Sequence, residues 1–417
     1  MKLGTSFWTV LALVVITGIS TLIVGELLFF RVMILWIGVI LFSWLWTYYS
    51  LRGITLRRYS RDARMESGDF LKEIYEISNQ SWIWKAWIEV TDLSGITNTS
   101  GSKILTRIGS KQIRSYFAYT QVYQRGFYSL GPTLIRSGDI LGVFTRELRF
   151  DSTQNILVTP TVMEIDHLEK PYGYLPGGKA LQRKSPETTP YDAGIREYSP
   201  GDPLNKIHWP STARIRKIMV KEFDQDPQSD VYILLDLDQS IQWKARTKLI
   251  PGKFWMLDRK PNRQIQPASL DYLSSIAASI AKHYLDRQHA VGTIWREESW
   301  QFLAADKGDR QLIKILEALA LVHGGSDLGL DTVLDFQSRY LPRGSLLWLI
   351  TPVASQSLIK AAELARMRGL KVHLIALDPS SFGENIPSLQ LDEISLPVRI
   401  IHASSSISAI QVELQGE

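Results

Sequence analysis

Polar and apolar residues fall into four successive patterns along the chain. Phe7 to Gly25 is an uncharged apolar run, Glu26 interrupts it, and a second run extends from Val32 to Tyr49 after Arg31. Each approaches the ~20 residues that the hydrocarbon core of a bilayer requires, which predicts a transmembrane helical hairpin over 1–54 with Glu26 and Arg31 in its turn. From Arg57 to Pro160 the pattern shortens to alternating segments divided by turn residues, the mark of an antiparallel β-sandwich-like domain over 55–160. Thr161 to Ala193 is rich in Pro and Gly without a sustained period and reads as an extended connector within a segment 161–222. Beyond it, apolar strands alternate with helical spacing. Right-handed crossovers assemble such a pattern into a Rossmann-like α/β unit, a parallel sheet with helices on both faces, over 223–417.

Individual strands and helices are legible inside these blocks. In the β block, Trp82, Trp84, Ala86, Ile88 and Val90 repeat with period two and are expected in the core, with Lys85, Glu89 and Thr91 on the other face. Gly126, Gly131-Pro132, Gly138 and Gly142 mark tight turns. In the last block, Val231–Leu235 is five consecutive apolar residues, a strand buried on both faces. Helical spacing over Leu270, Leu273, Ile276, Ile280 and Tyr284 follows, then a hairpin around Glu297-Glu298, helices carrying Leu312–Leu319 and Leu330–Tyr340, a strand at Leu346–Ile350, a helix from Ser355 to Arg368 stopped by Gly369, and a strand at Val372–Leu377.

At 417 residues the chain has room for about three units. The absence of Cys excludes disulfides, zinc-thiolate sites and a thiol nucleophile. A net charge of +5 over this length does not point to nucleic acid, and the positive charge that clusters lies beside the apolar hairpin. Trp44, Trp46, Tyr48 and Tyr49 have the placing of an interfacial aromatic belt, followed by Arg52, Arg57, Arg58, Arg61 and Arg64 as a basic membrane-surface set. A secretory signal is the alternative for the first run, with Lys2 as its basic start, but no small-residue cleavage site precedes the second run. The expectation is a two-span protein of the cell membrane with both termini and the soluble domains in the cytoplasm.

Three stretches carry candidate chemistry. Asp236, Asp238 and Ser240 stand at i, i+2 and i+4 directly after the Val231–Leu235 strand, where α/β sheets gather ligands, and the trio suits a hard cation such as Mg²⁺. Loop capping is the alternative role for the two carboxylates. Gly173–Ala180 nearly matches a Walker loop, but Ala180 replaces the magnesium-binding hydroxyl, Pro176 removes a backbone donor and no buried strand precedes it. The densest run is Arg196 to Arg214. There Asp202 is the expected N-cap and Pro203 the first residue of a short helix carrying Ile207, His208 and Trp209, with Pro210 ending it. Ser211, His208 and Asp202 have the residue types of a hydrolase triad without a nucleophile elbow. Lys206, Arg214, Arg216, Lys217 and Lys221 offer a basic run for lipid or nucleic-acid phosphates. The favoured reading is structural: Arg196, Glu197, Trp209 and Arg214 pin the connector onto the following sheet.

Arg196-Glu197-Tyr198-Ser199-Pro200-Gly201-Asp202-Pro203, then Ile207-His208-Trp209-Pro210-Ser211-Thr212-Ala213-Arg214, then Val220-Lys221-Glu222-Phe223 closely resemble the family known as domain of unknown function number fifty-eight. The resemblance extends to the amino-terminal hairpin and the Gly126–Phe144 stretch. It implies a membrane-anchored protein with a von Willebrand factor A-like carboxyl-terminal domain, acting as partner or adaptor of MoxR-type AAA-plus ATPases, with no enzymatic activity established for the family. Carried onto this chain, the A-domain metal motif matches at Asp236 and Ser240, has Asp238 where a serine is usual and Ser326 where a threonine is usual, and lacks the carboxylate after the fourth buried strand, where Thr351-Pro352 follow Ile350. The long connection 241–268, with Trp243 and Trp255, is expected at the same edge, covering the site or forming the partner surface. The resulting expectation is a non-catalytic binding or adaptor protein. The alternatives are a hydrolase or phosphoesterase using His208/Ser211 or Asp236/Asp238, or a lipid-binding protein acting through its basic segments.

Overall fold

A computed structural model of the chain describes residues 1–96, 99–151, 154–163, 165, 168–169, 192–199, 204, 207–223, 229–244, 268–379, 397–401 and 413–415. They form two compact units, the first built on 1–161 together with 316–322 and the second on the remaining strands and helices that follow.

The first unit opens with a short strand, β1 (Lys2–Leu3), and two helices, α1 (Thr5–Val24) and α2 (Leu27–Ser50), each long and apolar enough to cross a membrane, with mean hydropathies of 2.3 and 2.2. Their connection is only Gly25-Glu26. Gly25 takes the left-handed conformation (φ 69°) that closes α1, its N–H donating to Thr21 O at 3.1 Å. Arg31 therefore lies inside α2 rather than in the turn, a correction to the sequence expectation; its long stem lets the charge reach the surface from one turn into a helix.

Ten strands complete this unit: β2 (Ile54–Ser60), β3 (Arg64–Glu66), β4 (Phe70–Asn79), β5 (Lys85–Asp92), β6 (Lys103–Ile108), β7 (Ile113–Gln121), β8 (Gly126–Leu130), β9 (Thr133–Gly138), β10 (Phe144–Phe150) and β11 (Gln154–Thr159). They make sheets β2-β4-β7, β1-β10-β9-β5-β6 and β3-β11-β8, with every pairing antiparallel except β3 with β11. Tyr75, Ile77 and Tyr116 of the first sheet share a buried core with Ile88, Val90 and Ile135 of the second, and the Tyr75 and Tyr116 rings stack at 5.0 Å.

Two sequence expectations fail here. Trp82 and Trp84 are not core: they are 82% and 45% exposed, because Asn79 closes a turn ahead of β5, its Nδ2 donating to Ile83 O at 2.9 Å and to Gly109 O at 2.8 Å. β5 begins only at Lys85, which is itself buried and donates from Nζ to Tyr49 O at 2.7 Å, on the last turn of α2. Burial lowers the Lys85 pKa to about 8.

Arg58 also turns inward. β2 presents it on the same face as Ile54, and its guanidinium donates from Nε to Glu73 Oε1 and from Nη1 to Asp92 Oδ1, both at 2.7 Å, and from Nη2 to Asp92 Oδ2 at 2.9 Å. All three side chains are almost fully buried. Burial raises the Glu73 pKa. For Asp92 burial acts in the same direction, but hydrogen bonds from Ser94 and Arg58 outweigh it and leave the pKa below the ordinary value.

In the second unit β12 (Asp192–Glu197), α3 (Trp209–Ile215) and β13 (Met219–Phe223) come first, with β12 and β13 paired antiparallel. Then follow β14 (Val231–Leu235), α4 (Ser269–Asp286), β15 (Val291–Arg296), β16 (Trp300–Asp306), α5 (Asp309–Ala320), α6 (Leu330–Gln337), β17 (Leu346–Thr351), α7 (Gln356–Met367), β18 (Lys371–Leu377), β19 (Val398–Ile401) and β20 (Glu413–Gln415). The sheet order is β16-β15-β14-β17-β18-β19-β20, parallel from β15 through β19 with an antiparallel strand at each edge. Tyr232 and Leu234 pack with α6 and α7 on one face. On the other, Trp348 Nε1 donates to the hydroxyl of Tyr284 in α4 at 3.2 Å. A five-residue strand apolar at every position is what burial on both faces demands.

Candidate functional site

β14 is the first strand of the parallel sheet, and the chain leaves it to build β15 on one side and β17 on the other. The strand order reverses there. Beyond the carboxyl ends of β14 and β17 the connections diverge, and such a reversal is where sheets of this kind bind ligands. Asp236 follows β14 directly and Thr351 ends β17, and the two meet there, with Thr351 Oγ1 donating to Asp236 Oδ2 at 2.8 Å.

The other predicted residues converge on the same spot. Asp238 caps a short 3₁₀ turn, its Oδ1 accepting from Ser240 N at 2.9 Å and from Ser240 Oγ at 2.7 Å. Gly324 and Gly325, both at positive φ, bend the chain so that the amides of Gly325 and Ser326 donate to Leu237 O at 3.2 and 3.0 Å, and Gln239 N returns a bond to Ser326 O at 3.1 Å. This bridges Asp238 to Ser326. Asp331, in the first turn of α6, was not singled out from the sequence. A Cβ built on Gly329 would lie 2.8 Å from Asp331 Oδ1 and 3.7 Å from Asp238 Oδ2, so both carboxylates flank this glycine. Asp236 is buried, which pushes its pKa up to about 7; the hydrogen bonds from Thr351 and the Asp238 amide work against the rise, and the charges of Asp238 and Asp331 add to it.

The donor set is all oxygen, as a hard cation requires. The Ser240 and Ser326 hydroxyls donate inward, Ser326 Oγ to Leu328 O at 2.8 Å, which leaves oxygen lone pairs for a ligand. Among the described residues no three His, Asp or Glu side chains stand as a metal-ligand group, so hydroxyls would have to complete the set. Trp243 does not offer a recognition surface here: it is 7% exposed, with its backbone N–H and C=O both bonded to Ser269. Trp255 and the rest of 245–267 lie outside the described residues, as do the Walker-like run 173–180 and Pro200, Gly201 and Asp202.

The signature run forms the β12–α3–β13 element. Its helix begins where the sequence expectation ended it: Trp209 is the first residue, Pro210 sits in the first turn, where a missing N–H costs nothing, and His208 is the N-cap. His208 Nδ1 lies 2.8 Å from Ser211 Oγ and accepts from Ser211 N at 3.3 Å, so His208 and Ser211 meet as a helix cap. Tyr198 N donates to Ile218 O at 2.9 Å and Glu197 pairs with Lys217 at 2.9 Å. Arg196 Nη1 donates to Glu197 O at 3.0 Å. Trp209 is 67% exposed and Arg214 is exposed as well, so neither pins this element as expected.

The basic set after the hairpin also divides. Arg52 lies over the Tyr48 and Tyr49 rings, 5.8 and 5.6 Å from their centroids, at the end of α2. Arg57 is exposed, Arg58 is buried, and Arg61 and Arg64 are exposed beyond the far end of β2, about 20 Å along the strand at ~3.3 Å per residue.

A hairpin able to cross a bilayer, antiparallel sheets, and a mixed α/β unit with an oxygen-lined switch point define the class of protein. Residues 194–250 match the family model described as Protein of unknown function DUF58. It is 21% identical over 207 residues to the Uncharacterized protein YeaD of Bacillus subtilis (strain 168), a match that covers 47% of this chain and 51% of that protein, so the chain spans about half the length of the curated relative it matches. Among solved structures, the CARDB domain of the PF1109 protein from Pyrococcus furiosus, in complex with di-metal ions, is similar at 14% identity over 25% of this chain and 91% of its own, with a TM-score of 0.19. The cupredoxin domain of amoB from Nitrosocaldus yellowstonii is similar at 8% identity over 28% and 97%, with a TM-score of 0.18. Neither likeness carries an argument at such scores.

Proposed function

We propose that this protein is a non-catalytic, membrane-anchored binding protein. In this reading the hairpin anchors it in the cell membrane with the soluble units cytoplasmic, the β unit spaces it, and the second unit, of von Willebrand factor A type, engages a partner protein at its acidic edge. The observation that carries the reading is the convergence of Asp236, Asp238, Ser240, Ser326 and Thr351 at the switch point of the sheet. An AAA-plus ATPase of the MoxR type is the partner class that the family resemblance implies. Asp236, Asp238, Ser240 and Ser326 are the residues that would hold Mg²⁺, which when bound supplies a positive charge for a partner's carboxylate.

The test is a binding titration of the full chain in nanodiscs against a purified MoxR-type ATPase, with magnesium or with chelator, comparing wild type and Asp236→Asn. The variant keeps the shape and the Thr351 contact but removes the charge. Affinity is expected to fall at least tenfold in the variant and with chelator, while the thermal midpoint of the variant does not fall. Equal affinity for both proteins removes the acidic edge from the mechanism.

A further inference from the structure

We propose that the first unit does not merely hang from its hairpin but embeds two of its loops in an anionic bilayer surface: the β9–β10 tip at Ile140-Leu141 and the β4–β5 turn at Trp82–Trp84, the latter rimmed by Arg107, Lys111 and Arg114. The inference rests on the hairpin spanning the membrane and adds a second, peripheral lipid contact to it.

Depth is the first argument. α1 has 20 residues, which at ~1.5 Å each give about 30 Å, the thickness of the hydrocarbon core with nothing to spare. Its first turn therefore lies at the hydrocarbon boundary. The β9–β10 loop is fixed beside that turn: Gly4 N donates to Val143 O at 2.8 Å, and a Cβ on Gly4 would fall 1.9 Å from Gly142 O. Val143 and Phe144 pack with Phe7, Val10 and Ile40, residues past the boundary. The tip of the loop nevertheless leaves Ile140 65% and Leu141 57% exposed.

The second flank is the end of α2. Gly18 stands opposite Met33, an added Cβ lying 3.6 Å from Met33 Sδ, and this antiparallel register sets the first turn of α1 level with Phe42–Trp46. Trp84 meets Trp46 edge-on at 5.4 Å. Ile83 and Trp84 close an apolar groove of about 210 Å³ with Phe42, Leu45, Trp46 and Tyr49. Trp82, beside them, is 82% exposed.

Charge is the third. Lys111 N and Ser110 Oγ donate to Ser81 O at 3.2 and 3.3 Å, which holds the β6–β7 turn against the Trp82 turn. Arg107, Lys111 and Arg114 on or next to that turn are all exposed. Exposed Trp and Ile side chains leave apolar area hydrated in water, which costs free energy. At a bilayer surface the aromatic and aliphatic groups enter the acyl boundary while the cations meet phosphates.

The chain has no cysteine, so single spin labels can be placed without background. The full chain would carry Trp82→Cys, Leu141→Cys, Ile16→Cys in the middle of α1, or Asp151→Cys just past the far end of β10, in nanodiscs of phosphatidylglycerol or of phosphatidylcholine, with the collision rates of oxygen and a water-soluble nickel chelate measured at each. We expect the oxygen-to-nickel ratio at 82 and 141 to exceed that at 151 at least threefold in phosphatidylglycerol. Combining Arg107→Glu, Lys111→Glu and Arg114→Glu should erase the excess at 82 and leave that at 141. If 16 is lipid-buried while 82 and 141 match 151, the loops are in water and the proposal falls while the anchor stands. If 16 itself is water-accessible, the spanning hairpin and the proposal fall together. Equal depth in both lipids, unaltered by the triple substitution, overturns the role of the basic rim.

Discussion

Each unit buries acid, and the two do so in opposite ways. In the first, Glu73 and Asp92 close around the Arg58 guanidinium, so the cluster supplies most of its own counter-charge and ties β2 and β4 of one sheet to β5 of the other. In the second, Asp236 is equally hidden, yet its charged neighbours are Asp238 and Asp331, and its stabilising contacts are a hydroxyl and an amide. A buried ion pair that completes itself is a fastener. A buried carboxylate among others of the same sign holds a proton more readily, and under the proposed function it is a bound cation that would supply its counter-charge.

The contrast is sharpest on deleting charge. Arg58→Leu strands two carboxylates in a core and is expected to destabilise the first unit by about 3–5 kcal/mol, read by chemical denaturation of the full chain in detergent. Asp236→Asn, the corresponding deletion in the other unit, is expected not to lower the midpoint. A small effect at Arg58, or a collapse of the second unit in Asp236→Asn, would erase the distinction.

Lys85 gives an intermediate case, a buried cation on the Tyr49 carbonyl of α2. Its pKa falls from 10.5 to about 8 on burial, so between those values the unfolded chain holds the proton more tightly and stability rises with pH. The rise, on the order of 1 to 3 kcal/mol, should appear in thermal midpoints measured from pH 8 to 10.5 and vanish in Lys85→Met. Equal pH slopes in the two proteins would show that Lys85 titrates as if in water. The smallest effect is expected at Trp209: its exposure predicts a cost within about 0.5 kcal/mol for Trp209→Ala by the same denaturation, and a larger loss would restore it as a structural pin.

What the sequence made legible follows from periodicity. The membrane-length helices, the antiparallel block and the parallel strands all carry a repeat that survives folding unchanged; Asp236, Asp238 and Ser240 were singled out because strand ends locate switch points, and Ser326 through the resemblance to the A-domain metal motif. Failures occurred where one side chain reset the repeat. Asn79 turns the chain and shifts the start of β5, moving Trp82 out and Lys85 in. Arg58 looked like its neighbours because a run of arginines after an apolar helix reads as one surface; its phase with Ile54 and Leu56 along β2 was the signal that set it apart. Thr351 was noted for the carboxylate it replaces, whereas its hydroxyl is what holds Asp236. Pro210 was read as a stop although proline is as much at home in a first helical turn.

The hairpin is clamped at both of its ends. β1 is laced to β10, with Lys2 opposite Thr145 and Leu3 opposite Phe144, and Ser43, Thr47 and Ser50 seat α2 in the β unit, Thr47 Oγ1 donating to Phe144 O. No slack leash separates the apolar helices from the first unit. With the hairpin anchored as proposed, a pull on that unit would be borne by strand hydrogen bonds loaded side by side and passed directly to the bilayer, so the anchor would resist tilting as well as extraction and give the unit a fixed heading relative to the membrane plane.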